Sequence, residues 1–400
     1  MLKTAGTVVV RNDLQYFDML DRLRSDEPLL VTGTRVQTAI EYDAFGRVAK
    51  RSSPRFTGGS SFWTEFQYDL LGRVEQASRP TSDSDPSVQT TYSYYEGLTT
   101  RIVDPLSKQT TKVANVIGGM VRSVDHDGYY QTFDYDAFSN VVRVMDSLSN
   151  TLQTNTFNIR GMRTALTDLA AGGQTFVPNA LGEVVSQTTA ENQTTTFGYD
   201  GLGRMTSRGD PEGLSAFTFG ASAAAKNIGR LAGMSGPGYS EGYTYDNIGR
   251  LQQRSVSSDA TYYFDYTYND EGGLDTLAYP ESTLVSGTTS NYRLKLKYEY
   301  QSGQLLRVKD SNAPTNVFWQ VNSADPWGHV VDETLGNGVQ TIRGFDLVTG
   351  RLDYIQSGGG AIQSLNYEWD AVGNLIERRD ARQTPNLTEN FFYDNLHRLT

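Results

Sequence analysis

The stretch Gly242, Tyr243, Thr244, Tyr245, Asp246, Asn247, Ile248, Gly249, Arg250, Leu251 reads as a single β-hairpin. Tyr243 and Tyr245 stand two apart and share one face of an incoming strand. Asp246 opens a turn, and Gly249, three residues on, suits a type I turn closed by a residue at positive φ. Arg250 and Leu251 begin the returning strand.

The same pattern recurs along the chain. Asp, two free positions and Gly stand at Asp43 and Gly46, Asp69 and Gly72, Asp125 and Gly128, Asp200 and Gly203, Asp210 and Gly213, Asp246 and Gly249, Asp325 and Gly328, and Asp370 and Gly373. Asn takes the first position at Asn115, Asn158, Asn179 and Asn269, where it can make the same Asx-type bond to the backbone. One such window is a weak signal, but this many recurrences specify a repeat.

Copies without Gly follow related chemistry. Asp18 is followed by Asp21, Asp136 by Ser139 and Asp394 by His397. Asp and His enter the left-handed region more readily than most residues, whereas Ser139 predicts a bend displaced to Asn140. Asp346 to Gly350 has one extra residue and predicts a longer loop.

Composition agrees with an all-β chain. The 39 Gly and 24 Tyr, with 20% charged and 38% hydrophobic residues, suit short strands and tight turns better than amphipathic helices. With no Cys there is neither a disulfide framework nor a thiolate metal site. A net charge of −11 argues against a phosphate-tracking surface, so no nucleic acid is expected as a partner. No run approaches the roughly 18 apolar residues of a membrane helix, and the N-terminus lacks the order of a signal peptide.

Aromatic–acid anchors mark the repeats at Tyr42 and Asp43, Tyr68 and Asp69, Tyr135 and Asp136, Tyr199 and Asp200, Tyr245 and Asp246, Trp369 and Asp370, and Tyr393 and Asp394. Their spacing of about 20 to 30 residues, once degenerate copies are included, is that of a repeat architecture. Residues 1–40 read as a degenerate first block and 41–400 as the repeat array, with no separate catalytic domain. Because the chain stops where the last motif should return, it is read as a piece of a longer protein. A second set of bends at Asp104, Asp146 and Asp210 alternates with the anchors and predicts a continuous antiparallel meander. Arg79 to Ser87, Gly233 to Ser240 and Ser357 to Gly360 are expected as surface loops.

The series Tyr, Asp, two residues, Gly, Arg and an apolar residue, as at Tyr42 to Val48, Tyr68 to Val74, Tyr199 to Met205 and Tyr245 to Leu251, resembles the RHS or YD repeats of bacterial polymorphic toxins, insecticidal toxin complexes and teneurins. The resemblance covers almost the whole chain. It implies a spiralling β-sheet strip that forms part of a hollow shell, secreted or at the cell surface, enclosing a C-terminal toxin that is absent from this sequence. Neighbouring shell segments are the other implied partners. Family shells end in an Asp-Pro-containing cleavage motif, but Asp325, Pro326, Trp327, Gly328 sits where a repeat turn is due and is expected to be an ordinary turn.

No residue makes a case for catalysis, a metal or a cofactor. Turn chemistry accounts for the recurring Asp residues, and Asp125, Asp127 and Gly128 lack an EF-hand's ligand spacing. Asp83 and Asp85 are expected in a solvated loop, while His126, His329 and His397 lie in or beside turns without metal-ligand spacing. The tyrosines are expected to pack as a cross-strand ladder, with Tyr243, Tyr245, Tyr266 and Tyr268 as the example and the turn arginines stacked on such rings. An outer-membrane barrel is set aside because the strand after Gly249 has no continuously apolar face. The expected function is therefore a non-enzymatic container wall; the alternative is a cell-surface adhesion module binding glycans or proteins through exposed aromatics.

Overall fold

The computed structural model describes residues 3–5, 8–11, 13–285 and 289–400, so part of the expected 1–40 block lies outside the described residues. The described chain is all-β, built of short antiparallel strands and one 3-10 turn at Gly358–Gly360. Among these residues no helix is long and apolar enough to cross a membrane.

The central hairpin shows why the pattern folds this way. The strand Tyr239–Tyr245 pairs with Leu231–Gly236 before it and with Leu251–Ser257 after it. Its register runs Tyr243 opposite Arg254, then shifts, so that Tyr245 faces Leu251. Gly249 at φ 83° supplies the extra residue of a bulge closing a type I turn, which tightens the twist and aims the tyrosine. The same shift occurs at Tyr42, Tyr68, Tyr135, Tyr199 and Trp369.

Successive strands reverse direction, so connections fall alternately on two edges of the strip. The aromatic–acid turns occupy one, here the turn edge; Asp104–Ser107, Asp146–Ser149 and Thr189–Asn192 occupy the other, the bend edge. Asp125–Gly128 and Asp210–Gly213 also lie on the bend edge, where Asp210 pairs with Gly213 across a two-residue connection.

Two expectations are corrected. Gly233 to Ser240 is not a surface loop but a strand pair turning at Pro237 and Gly238, because the facing residues Gly233 and Gly242 let Gly-rich strands pair closely. The Asp136 turn is not displaced to Asn140: Ser139 itself adopts φ 68° and donates its N–H to the Asp136 carbonyl, held by a turn whose other bonds are all made. The Asp346 loop has its extra residue, with Gly350 N–H donating to the Asp346 carbonyl.

The chain forms two compact units. One comprises Met1–Lys112, Asp125–Gly128 and Lys297–Thr400; the other comprises Val113–Val124 and Tyr129–Leu296. In the first, Leu30, Val31 and Val36 pack with Val321 and Ala324, joining early and late repeats in a small apolar core. In the second, Thr276 and Ala278 are buried in one strand. Most other strand residues in both units are half-buried, as in Thr99–Val103 and Val184–Thr188, so strand pairing and side-chain layers carry much of the cohesion.

Candidate functional site

The repeated unit is a carboxylate-centred turn. Asp246 Oδ1 accepts from the backbone N–H groups of Ile248 and Arg250 at 3.0 and 2.8 Å, while Oδ2 accepts from Arg250 Nε at 2.7 Å. Its own N–H donates to the Arg250 carbonyl, and Gly249 N–H returns to the Asp246 carbonyl. The same arrangement centres on Asp43, Asp69, Asp200 and Asp394, with Arg47, Arg73, Arg204 and Arg398 as the cations. Asn140 and Asn374 replace Arg beside Asp136 and Asp370, and His329 does so beside Asp325. Asp325 therefore sits in a repeat turn of the ordinary form. At Asp200 the Arg204 guanidinium, joined by the backbone N–H donors and opposed by desolvation, holds the carboxyl below its ordinary value.

The aromatic anchor reaches out of its own repeat. Tyr42, Tyr68, Tyr199, Tyr245 and Tyr393 donate their hydroxyls to the carbonyls of Leu23, Val48, Val184, Leu231 and Leu375, each the residue directly after the preceding repeat's turn. Tyr135 does the same to Met120, and Trp369 uses its indole N–H on Leu352. The guanidinium of the preceding turn lies over the ring: Arg22 over Tyr42, Arg47 over Tyr68, Arg230 over Tyr245 and Arg250 over Tyr268. Where a turn carries Arg, as at Arg47 and Arg250, the guanidinium both pairs with its own Asp and packs on the next anchor. Tyr243 instead donates to Glu241, which also pairs with Arg254; burial, then this carboxylate, pushes its hydroxyl up to about 12.

Within the first unit the turn edge of late repeats meets the bend edge of early ones. Ser53 Oγ donates to the Val348 carbonyl at 3.1 Å, and Asp83 N–H donates to Asp346 Oδ2 at 2.7 Å. Leu347 N–H returns to Asp83 Oδ2, so the Asp83 loop is a clasp and not merely solvated; its partner lies too far along the chain for local reading. Asn395 Nδ2 donates to Asp127, Lys108 contacts Asn395, and His397 Nε2 bonds Asp104 at 2.8 Å.

An open cavity of about 320 Å³ beside the Asp83 clasp is lined by Asp83, Asp346, Arg351, Asp353 and Trp369. Partial burial, then the charges of Asp346 and Asp83, pushes the Asp353 carboxyl up to about 6, and because Asp353 is an exposed residue of its strand solvent screening tempers that shift. Burial, then Arg79, lowers Arg351 from its ordinary value. Among the described residues no trio of His, Asp and Glu is disposed to hold a metal ion. His126 accepts from Gln109 N–H, and His329 stacks on Phe345.

The fold has known counterparts. The model of the RHS Repeat family matches residues 179–215, a span that includes the Asn179 turn and the anchor Tyr199, Asp200, Gly203 and Arg204. The crystal structure of TcdB2-TccC3 superposes with a TM-score of 0.78 at 17% identity, covering 97% of this chain and 24% of that one. The chain carries an RHS repeat.

Two further structures share this fold. TcdB2-TccC3 without its hypervariable C-terminal region gives a TM-score of 0.79, and the Photorhabdus luminescens Tc holotoxin pore gives 0.77; both are 16% identical and cover 97% of the chain. The chain spans about a quarter of the length of these structures. No curated protein matches it in sequence.

Proposed function

We propose that this RHS-repeat chain is a wall segment of a shell that encloses a toxic polypeptide carried beyond the repeats and releases it outside the producing cell. The observation that carries this reading is the tyrosine link, by which each hairpin is bonded to the one before it. Many such links make a wall whose repeats hold one another. The likeness to TcdB2-TccC3, a structure also recorded without its hypervariable C-terminal region, supports a wall paired with a variable C-terminal cargo. In this reading the wall acts by exclusion and performs no chemistry.

The test is protease protection in the natural full-length protein. The polypeptide beyond the repeats should resist digestion while the wall is folded and become sensitive once denaturant opens it. Digestion at the same rate in both states overturns the enclosure. Saturable binding of the wall to a glycan array would instead favour adhesion.

A further inference from the structure

Three segments of the first unit meet around Lys108. His397 Nε2 bonds Asp104 at 2.8 Å, which ties the last turn to the bend that holds the lysine. Gln109 N–H donates to His126 Nδ1 at 3.0 Å, which ties in the bend that holds Asp127. Lys108 is fixed at both main-chain groups: its N–H donates to Asp104 Oδ1 at 2.8 Å, and its carbonyl accepts from the Asp104 N–H at 3.0 Å. The outcome is a contact across 287 residues of sequence, with Lys108 Nζ donating to Asn395 Oδ1. Asn395 Nδ2 in turn donates to Asp127 Oδ1 at 2.7 Å.

The repeat turn does not account for this trio. The Asp394 turn closes through Leu396, His397 and Arg398 and leaves the Asn395 side chain to the seam. A neutral amine is a nucleophile, an amide carbon is an electrophile, and a carboxylate on the leaving nitrogen can carry a proton between the two. Groups held in contact react as though one were present at about 10⁵ M or more, which compensates for the low reactivity of an amide.

We infer that Lys108 and Asn395 join through an intramolecular isopeptide bond. Lys108 Nζ, as the neutral amine, adds to Asn395 Cγ. The Nζ–Cγ bond forms, the Cγ–Nδ2 bond breaks, and Nδ2 leaves as ammonia. Asp127 takes a proton from Nζ and passes it to Nδ2, so the carboxylate is regenerated and ammonia is the single by-product. The bond locks early repeats to late ones, where hydrogen bonds alone hold them reversibly. It does not depend on whether the wall encloses a toxin.

Lysine is mostly protonated at neutral pH, its ordinary pKa being about 10.4. Lys108 is half-buried, Asn395 and Asp127 are exposed, and the titratable groups on the three segments are Asp104, Asp125, Asp127 and Asp394 with His126, His397 and Arg398. The bond should therefore form slowly at neutral pH and faster in mild alkali.

The intact mass of the chain, followed over time at pH 7 and pH 9, tests this. The wild-type mass should fall by one ammonia, sooner at pH 9. Trypsin should then fail to cut after Lys108 and should release the Lys108 and Asn395 peptides as one joined species. Lys108→Arg keeps the positive charge without a titratable amine and should retain the full mass. Asp127→Asn should slow the loss about a hundredfold or more. Both changes lie outside the turn bonds, so both variants should fold, which melting curves check. A folded wild-type chain that keeps its full mass at pH 9 overturns the inference. So does ammonia lost without a joined peptide, as an Asn succinimide would give, or lost equally from Lys108→Arg.

Discussion

The backbone N–H of Asp83 donates to the Asp346 carboxylate at 2.7 Å across 263 residues of sequence. Asp83 returns the contact by accepting from Leu347 N–H. Two carboxylates are thereby fixed in one seam, and Asp353 stands beside them in the same cavity.

Asp353 should make this seam sensitive to pH. Its folded value is raised from 3.8 to about 6, so the stability it contributes is complete below 3.8 and lost as pH rises through about 6. Asp346 and Asp83 disfavour its charge, and Arg351 and Arg79 also lie nearby. Asp353→Asn should raise the melting temperature at pH 8 and leave it near wild type at pH 4. Thermal melts of both proteins across that range check this; an equal effect at every pH would remove the carboxyl from the account.

The repeat turns respond in the opposite sense. The carboxyls of Asp69 and Asp200 are lowered from 3.8, at Asp69 by the Arg73 N–H first and at Asp200 by the Arg204 guanidinium first. Their stabilisation is present above 3.8 and disappears as pH falls through their lower folded values. Asp200→Asn should destabilise the chain at pH 7, with the gap closing under acid. Urea titrations at the two pH values measure that gap.

Tyr245→Phe keeps the ring beneath Arg230 but removes the hydroxyl bonded to the Leu231 carbonyl. A loss of about 0.5–1.5 kcal/mol is expected. Tyr199→Phe, which breaks the bond to Val184, should cost a similar amount, and the double variant should be close to additive because the two links share no partner. Equilibrium unfolding of the two single variants and the double variant supplies the comparison.

Gly249→Val places a β-branched side chain at φ 83°, with its Cβ 2.6 Å from Arg230 Nη2. The left-handed conformation alone costs about 1–2 kcal/mol, and Arg230 must also shift from the turn. Gly249→Asn should cost less, since Asn enters this region more readily. If the two variants melt together, the strain lies elsewhere.

Ser139 offers the converse change. It holds φ 68° without being glycine. Ser139→Gly should relieve about 1–2 kcal/mol of backbone strain while increasing the freedom of the unfolded chain, leaving a net gain on the order of 0.5 kcal/mol. Differential scanning calorimetry resolves such a shift.

Sequence made the turns legible because their chemistry is local: Asp246, Ile248, Gly249 and Arg250 complete the bonds among themselves. Stacking of the turn arginines was also within reach, since their place beside each anchor is regular. The tyrosine hydroxyl was not, because a period of two says which face a ring occupies and nothing of a carbonyl in the preceding repeat. Its signal was the constant place of that carbonyl, just after the turn, at Leu23, Val48 and Leu375. Gly233 to Ser240 misled because Gly and Pro usually mark loops, whereas here they let two strands approach. The clasps at Ser53, Asp83 and Asp104 join segments from opposite ends of the chain, where no local pattern reaches.

The tyrosine link also has a direction in time. Tyr68 reaches back to Val48, Tyr245 to Leu231 and Tyr393 to Leu375, so each donor finds an acceptor that left the ribosome earlier. Every new hairpin closes on a template already made, over a short separation that favours rapid pairing. The clasps between early and late repeats, from Ser53 to Val348, from Asp83 to Asp346 and from Asp104 to His397, must wait until synthesis is nearly done. The strip can be laid down like courses of masonry, each set on the last, with the early and late courses keyed together at the end.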